Sequence, residues 1–163
     1  MIDFEPTEEQ ALIVETVHQF AENEIRPVAR ESEEGGALSR SVLESAHELG
    51  LVANGIPEEY GGGGEPSAIL GCLIAEELAW GDVSTALGIL SPSLLALPVA
   101  LLGSEEQRGR ILPSLAGPTF VPGALAAVEP RFDSDVHRPQ TTAKREGDGY
   151  RIEGVKCQVP WLE

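Results

Sequence analysis

Between Asp82 and Glu105 the chain runs for 22 residues without a charged side chain. So long a neutral stretch has to leave water, either by crossing a bilayer or by entering a protein interior. Pro92, Pro98 and four serines interrupt it, and both flanks are acidic with no lysine or arginine beside them. Membrane spans favour basic cytoplasmic flanks instead. The stretch therefore predicts a buried helix pair, bent or broken at Pro92, and no membrane partner. A chain of 163 residues that is 42% hydrophobic can supply a core around such a pair.

The sequence on either side reads as further helices. Thr7-Glu8-Glu9-Gln10 and Ser104-Glu105-Glu106-Gln107 are capping boxes, in which hydroxyl and amide satisfy the first free backbone donors. After the first box, Ile13, Val17, Phe20, Ala21, Ile25 and Val28 follow the three-and-four spacing of one buried stripe. Pro27 is expected to kink or restart that helix, which closes in a charged turn over 31–36. Ser39 caps a second helix with Val42, Leu43, Ala46 and Leu49 on one face; Gly50 is its left-handed stop and Leu51 the hydrophobic residue beyond. Ser67 opens a third helix to about Trp80, apolar nearly all round and therefore central. Asp82 caps the neutral stretch, and the helix opened by Ser104 stops at Gly117.

Beyond Gly117 the pattern changes. The apolar run 120–128 predicts a strand, and the segments 141–145 and 150–159 flank Gly147-Asp148-Gly149, whose Asp-Gly pair signals a hairpin. Two or three strands are marginal in water without a partner sheet. The chain is thus read as α+β and mainly α, with a helical domain over 1–117 and the beginning of a β domain over 118–163.

Charge narrows the partners. The chain holds 27 acidic and 11 basic residues, a net −16, of which residues 1–66 carry −12 and residues 118–163 only −1. Such a field repels nucleic acid, and an anionic ligand is better placed in the last third. Cys72 and Cys157 stand far apart in no CxxC pattern, which excludes a disulfide framework or cysteine zinc site. The N-terminal stretch has no basic and apolar signal-peptide pattern, so the expected compartment is cytoplasmic.

The glycines 61–64 do not make a phosphate loop, because Pro66 and Ser67 stand where a third glycine belongs and no GK[ST] follows. Ser134, Asp135 and His137 lack the G-x-S-x-G elbow of a hydrolase. His18, His47 and His137 show no metal-ligand spacing and read as surface or capping residues. Glu76-Glu77 could offer a general base, but a solvated edge or a salt bridge is the expected role.

Four segments then appear in a telling order: Glu48-Leu49-Gly50-Leu51 with Ile56-Pro57-Glu58-Glu59-Tyr60-Gly61-Gly62; Gly103-Ser104-Glu105-Glu106-Gln107-Arg108 leading to Leu112-Pro113-Ser114-Leu115-Ala116-Gly117; Val128-Glu129-Pro130-Arg131-Phe132-Asp133-Ser134-Asp135; and Gly147-Asp148-Gly149-Tyr150-Arg151-Ile152-Glu153-Gly154-Val155-Lys156. They resemble the acyl-CoA dehydrogenase patterns "elGl…PeeyGG", "GteeqkxxyLpxlaxG", "TEPxAGSD" and "GdgyxlnGxK", without rearrangement. The resemblance implies an N-terminal helical bundle followed by an antiparallel β-barrel domain, here incomplete. It also implies FAD, α,β-desaturation of an acyl-CoA thioester, an electron-transfer flavoprotein-type acceptor, a role in lipid metabolism and a homo- or hetero-oligomer.

By the same resemblance, flavin or the thioester end of the substrate is contacted from Val128, Ser134, Gln158, Val159 and Pro160, with Ser134 also touching substrate. Ser134, Glu129, Pro130, Asp135, Gly154 and Lys156 match the family pattern. The family's Thr is Val128, its two small positions are Arg131 and Asp133, and its W-I-T/S triplet is Gln158-Val159-Pro160. Proline brings neither a hydroxyl nor an N–H, and a glutamine in place of tryptophan removes a ring that could pack on the flavin. The family's catalytic glutamate belongs to the C-terminal helical domain, so no catalytic residue is assigned within 1–163, and no metal ligand. The first expectation is the N-terminal part of a FAD-dependent acyl-CoA dehydrogenase, inactive as this chain alone. The alternative is a flavin-poor, non-catalytic partner subunit of a heteromeric acyl-CoA dehydrogenase. A third reading keeps the fold with other flavin chemistry, such as an acyl-CoA oxidase or flavin monooxygenase.

Overall fold

A computed structural model describes residues 6–64 and 67–160. The N-terminal signal-peptide reading and the Pro66 position of the glycine-loop reading lie outside these residues. Seven α-helices are described: α1 (Glu8–Phe20), α2 (Arg26–Gly35), α3 (Arg40–Glu48), α4 (Ala68–Gly81), α5 (Val83–Leu90), α6 (Ser93–Leu102) and α7 (Glu105–Leu115), followed by one antiparallel hairpin of β1 (Thr142–Glu146) and β2 (Gly149–Glu153). The fold is a helical bundle with the start of a β structure attached.

Local signals set most helix ends. Both capping boxes form, with Thr7 Oγ1 accepting from the Gln10 N–H and Ser104 Oγ from the Gln107 N–H. Asp82 Oδ2 accepts from the Thr85 N–H at 2.7 Å, and Ser67 Oγ from the Leu70 N–H. Gly50, at φ +76°, ends α3 in a Schellman motif: its N–H bonds to the His47 carbonyl and the Leu51 N–H to the Ala46 carbonyl. Ser39 departs from expectation. It stands at the cap of α3, but its hydroxyl pairs with the Ser41 hydroxyl and caps nothing.

Pro27 is the second residue of α2, where the α-helix restarts, as expected. A π turn over Ala21–Ile25 joins α1 to α2, with the Arg26 N–H bonding to Ala21 O, five residues back. The wider turn removes the steric conflict that a regular helix would have between the proline ring and the carbonyl four residues earlier. The helix then runs through Gly35 and stops at Gly36, at φ +68°, so the charged turn expected over 31–36 is the last part of α2.

The main core gathers Val17, Phe20, Ala21 and Ile25 from the first helices, Val42, Leu43 and Ala46 from α3, Leu70, Ile74 and Leu78 from α4, and Ala86 and Ile89 from α5. Each fully buried aliphatic side chain contributes roughly 1.5–3 kcal/mol. A smaller cluster joins Ile56, Ala96, Leu112 and Leu115. Three burial expectations change here. His47, and not Leu49, completes the inner face of α3, because the chain near Gly117 folds over it. Helix α4 buries a single stripe, leaving Ile69 and Trp80 exposed. The neutral stretch is only half enclosed: Thr85, Ala86, Gly88, Ile89 and Ala96 are buried, but Leu87, Leu94, Leu97, Leu101 and Leu102 face outward. Its residues Val83–Leu102 are long and apolar enough to cross a membrane by length and composition.

After α7 the run 121–128 forms no ladder, so the strand predicted there is absent; Phe120 goes into the main core instead. The run lies against α6, where Gly123 packs on Pro92 and Leu95 and a Cβ would come within 3.3 Å of Pro92 Cα. The hairpin is present with its turn one residue earlier than predicted. Glu146 pairs with Gly149, so Gly147-Asp148 are the central residues, and Gly147 supplies the positive φ of a primed turn at +62°. Its second strand ends at Glu153, not at Val159, and every residue of the hairpin is exposed. No second layer covers it among the described residues.

Candidate functional site

Val128 and Ser134, two of the residues expected to face a flavin, lie where the 128–134 loop meets the segment leaving β2. The Cys157 N–H donates to Val128 O at 3.0 Å, which sets Val128 beside the residue that precedes Gln158. Ser134 joins them from the far side of the loop, its Oγ accepting from the Glu129 N–H at 3.0 Å. Gln158 is held at φ +53°, a left-handed conformation that non-glycine residues adopt at a cost of about 1 kcal/mol or more. Of the five sequence-predicted positions, Val128 is thus joined to the residue before Gln158, and Ser134 to the residue after Val128.

At its centre is a residue the sequence reading matched to the family pattern but gave no role. Glu129 is only 5% exposed, and every polar group around its carboxylate is a donor. Oε2 accepts from the Gln140 N–H at 2.7 Å; Oε1 accepts from the Thr141 N–H and hydroxyl, both at 2.8 Å, and from Lys156 Nζ at 3.0 Å. Arg131 Nε stands 3.5 Å from Oε2, and its Nη2 donates to Arg138 O. The amides of Gln140 and Thr141 and the Thr141 hydroxyl, with Lys156 adding to them, hold the Glu129 carboxyl down at about 2, against the opposing effect of burial. It is a carboxylate at any ordinary pH and offers no proton. Lys156 reaches onward to Ala127 O at 3.4 Å, and Gly154 lets β2 leave the hairpin tightly against Thr141, where a Cβ would meet Thr141 Oγ1 at 2.4 Å. The clasp lines a depression of about 450 Å³.

The pairings that betray this clasp in sequence are long: Glu129 meets Gln140, Thr141 and Lys156 at separations of 11, 12 and 27 residues. A readable signal did exist in the acid two residues before Arg131, which with the later Gly-x-Lys matches the family pattern. The other candidates resolve differently. Asp135 Oδ1 accepts from the backbone N–H of His137, so Ser134, Asp135 and His137 form a turn and no nucleophile relay. Glu77 pairs with His18 Nδ1 at 2.6 Å, as the salt-bridge reading had it, and His18 lies against Trp80 with ring centroids 4.4 Å apart. His47 is not a surface residue: it is buried, its Nε2 2.6 Å from Gly117 O. Glu44 takes the Phe120 N–H on Oε2 at 2.9 Å and is also bonded by Arg40, which in turn reaches Phe120 O. Chiefly through the Phe120 amide, the Glu44 carboxyl is held below the usual range. Helix α3 therefore grips the chain just before the 121–128 run that leads to the site.

Comparison with known proteins bears directly on this arrangement. Residues 7–118 match the family model described as acyl-CoA dehydrogenase, N-terminal domain. The chain is 33% identical over 158 residues to a probable mitochondrial medium-chain specific acyl-CoA dehydrogenase of Caenorhabditis briggsae, covering 97% of this chain and 38% of that protein. To a probable acyl-CoA dehydrogenase of Bacillus subtilis it is 37% identical over 159 residues, covering 97% of this chain and 41% of the relative. It also superimposes on a glutaryl-CoA dehydrogenase of Mycobacterium smegmatis solved with FADH2, with a TM-score of 0.81 and 26% identity over 94% of this chain and 39% of that one. The chain spans about two fifths of the length of the curated relatives it matches. Its helices and the loop that follows them make it a member of the acyl-CoA dehydrogenase family.

Proposed function

We propose that this chain forms the N-terminal part of a FAD-dependent acyl-CoA dehydrogenase, an oxidoreductase that desaturates an acyl-CoA thioester between its α and β carbons. The observation that carries the reading is the bond from Cys157 to Val128, which brings the 128–134 loop to the segment entering residues 158–160, directly after the helical region that matches the family. When bound, FAD supplies the hydride-accepting chemistry and passes electrons to an electron-transfer flavoprotein-type acceptor. The carboxylate that takes the α proton is assigned to sequence beyond position 163, and the helical domain to residues 1–117 with the β domain opening at 118. The protein is assigned to the cytoplasm, as a homo- or hetero-oligomer.

The donor set at the junction decides how a flavin would be held. Val128 and Pro160 have no side-chain donor, and Pro160 has no N–H. What remains are the main-chain amides of Val128 and Val159, the Gln158 carboxamide and the Ser134 hydroxyl proton, whose oxygen already accepts from Glu129. The edge of an isoalloxazine ring alternates donors and acceptors, and backbone with one carboxamide can meet it. These residues fit a flavin gripped mainly by main chain. Their part is to bind and orient the ring and to leave proton transfer to groups outside this chain.

A second reading, a flavin-poor subunit that pairs with a catalytic homologue, is favoured by Val128, Arg131, Asp133 and Pro160. Flavin colour distinguishes the two. Yellow protein from full-length expression alone supports the first reading; colour only on co-expression with a homologous subunit supports the second. The 163-residue chain by itself is expected to turn over no acyl-CoA with an artificial electron acceptor, and measurable turnover would overturn the assignment of the base.

A further inference from the structure

We propose that Glu129 is a positioning residue for the flavin-facing wall, acting through Lys156 and Thr141 to fix the spacing between Val128 and Gln158. The inference rests on the flavin reading above. Among the described residues, Glu129 is the one buried side chain after Phe120. No apolar core holds this region, so its geometry depends on the carboxylate. The surrounding bonds tie both sides of the wall to it. Lys156 links Glu129 Oε1 to Ala127 O, one residue before Val128. The neighbouring Cys157 N–H closes on Val128 O. The backbone of Glu129 then draws Ser134 in through its hydroxyl.

Two further details fit this role. Gln158 stays left-handed only where its surroundings over-determine it, and the clasp begins two residues earlier at Lys156. Gly154 has no room for a Cβ against Thr141, so β2 leaves the hairpin along one path. Because all the groups facing the carboxylate donate, an amide in its place would turn an N–H toward another donor. Glu129→Gln therefore loosens the wall without changing its size, whereas Glu129→Asp keeps the charge and shortens the reach.

The test compares wild type, Glu129→Gln, Glu129→Asp and Lys156→Met at the protein's native length, with FAD as the titrant. Three readouts are taken: the FAD dissociation constant, the absorption spectrum of bound flavin, and amide hydrogen exchange at Cys157. Glu129→Gln and Lys156→Met are each expected to weaken FAD on the order of tenfold, the scale seen when an outer support of a bound group is removed. They should also shift the flavin spectrum and speed exchange at Cys157, and Glu129→Asp should recover part of each effect. Faster Cys157 exchange with wild-type FAD affinity and spectrum would reduce Glu129 to a structural clasp and overturn the proposal, as would unchanged exchange. Should Glu129→Gln fail to fold, Lys156→Met decides by the same readouts. A wild type that takes up no FAD, alone or with a homologous subunit, overturns the flavin reading itself; a coloured wild type with unaltered variants overturns this inference alone.

Discussion

The helical part and the tail after Phe120 keep their shapes by opposite means. In the helices, buried aliphatic side chains from five elements form one continuous core, with few buried polar side chains beside them, His47 and Thr85 among these. From residue 121 to 160 the only buried side chain is a carboxylate, and order comes from donors converging on it. Apolar burial is non-directional and tolerates small shifts, whereas a hydrogen-bonded charge fixes neighbours to tenths of an ångström. A tail that has to present backbone groups to a ligand gains more from the second kind of order.

If the two regions are independent in this way, core damage should be large and global, and clasp damage local. Ile25→Ala removes a side chain with no exposure, and should cost about 2–5 kcal/mol in chemical denaturation while the hairpin's exchange pattern keeps its shape. Equal protection losses in both regions at low denaturant would mean that they unfold as one unit. Gly154→Ala should do the reverse. Its Cβ would press on Thr141, so amide exchange at Gln140 and Thr141 should accelerate while helical unfolding stays at its wild-type midpoint.

Acid separates the regions next. The Glu129 carboxyl titrates at about 2 in the fold against 4.5 when free. Its contribution is therefore fully present above 4.5 and is lost as pH falls from there toward 2. Tail amides should lose protection in that window, Glu129→Gln should flatten the dependence, and the helical circular dichroism signal should fall less. The Glu44 carboxyl is lowered too, so a smaller acid effect is expected at the Phe120 junction. The smallest test lies inside the helices: Ser104→Ala should cost about 1 kcal/mol and Ser39→Ala only a few tenths, because Ser104 caps and Ser39 does not. Equal costs would show that the Ser39–Ser41 pairing supports α3 after all.

Legibility follows the same division. Thr7, Asp82, Ser104 and Gly50 were readable because each acts on backbone within about five residues. His47 was misjudged because what covers it, the carbonyl of Gly117, lies 70 residues away. The run 120–128 has the composition of a strand, but pairing needs a neighbour, and no ladder forms on it among the described residues. The five positions expected to face a flavin came from resemblance, and of these Val128 and Ser134 lie at the Glu129 clasp. Glu129 matched the family pattern too, but its organising role was not legible, because the partners of its carboxylate stand 11 to 27 residues away in the chain.

The π turn at Ala21–Ile25 bears on how the first long helix can change length. It takes up one residue more than regular winding needs, and so keeps the stripes of α1 and α2 in phase across the surplus. Elsewhere in α1 or α2 a deletion would swing every later side chain by about 100° around the axis. Within 21–25 the loss of one residue would be absorbed as ordinary winding, and the obstacle would be Pro27, whose ring would again press on the carbonyl one turn back.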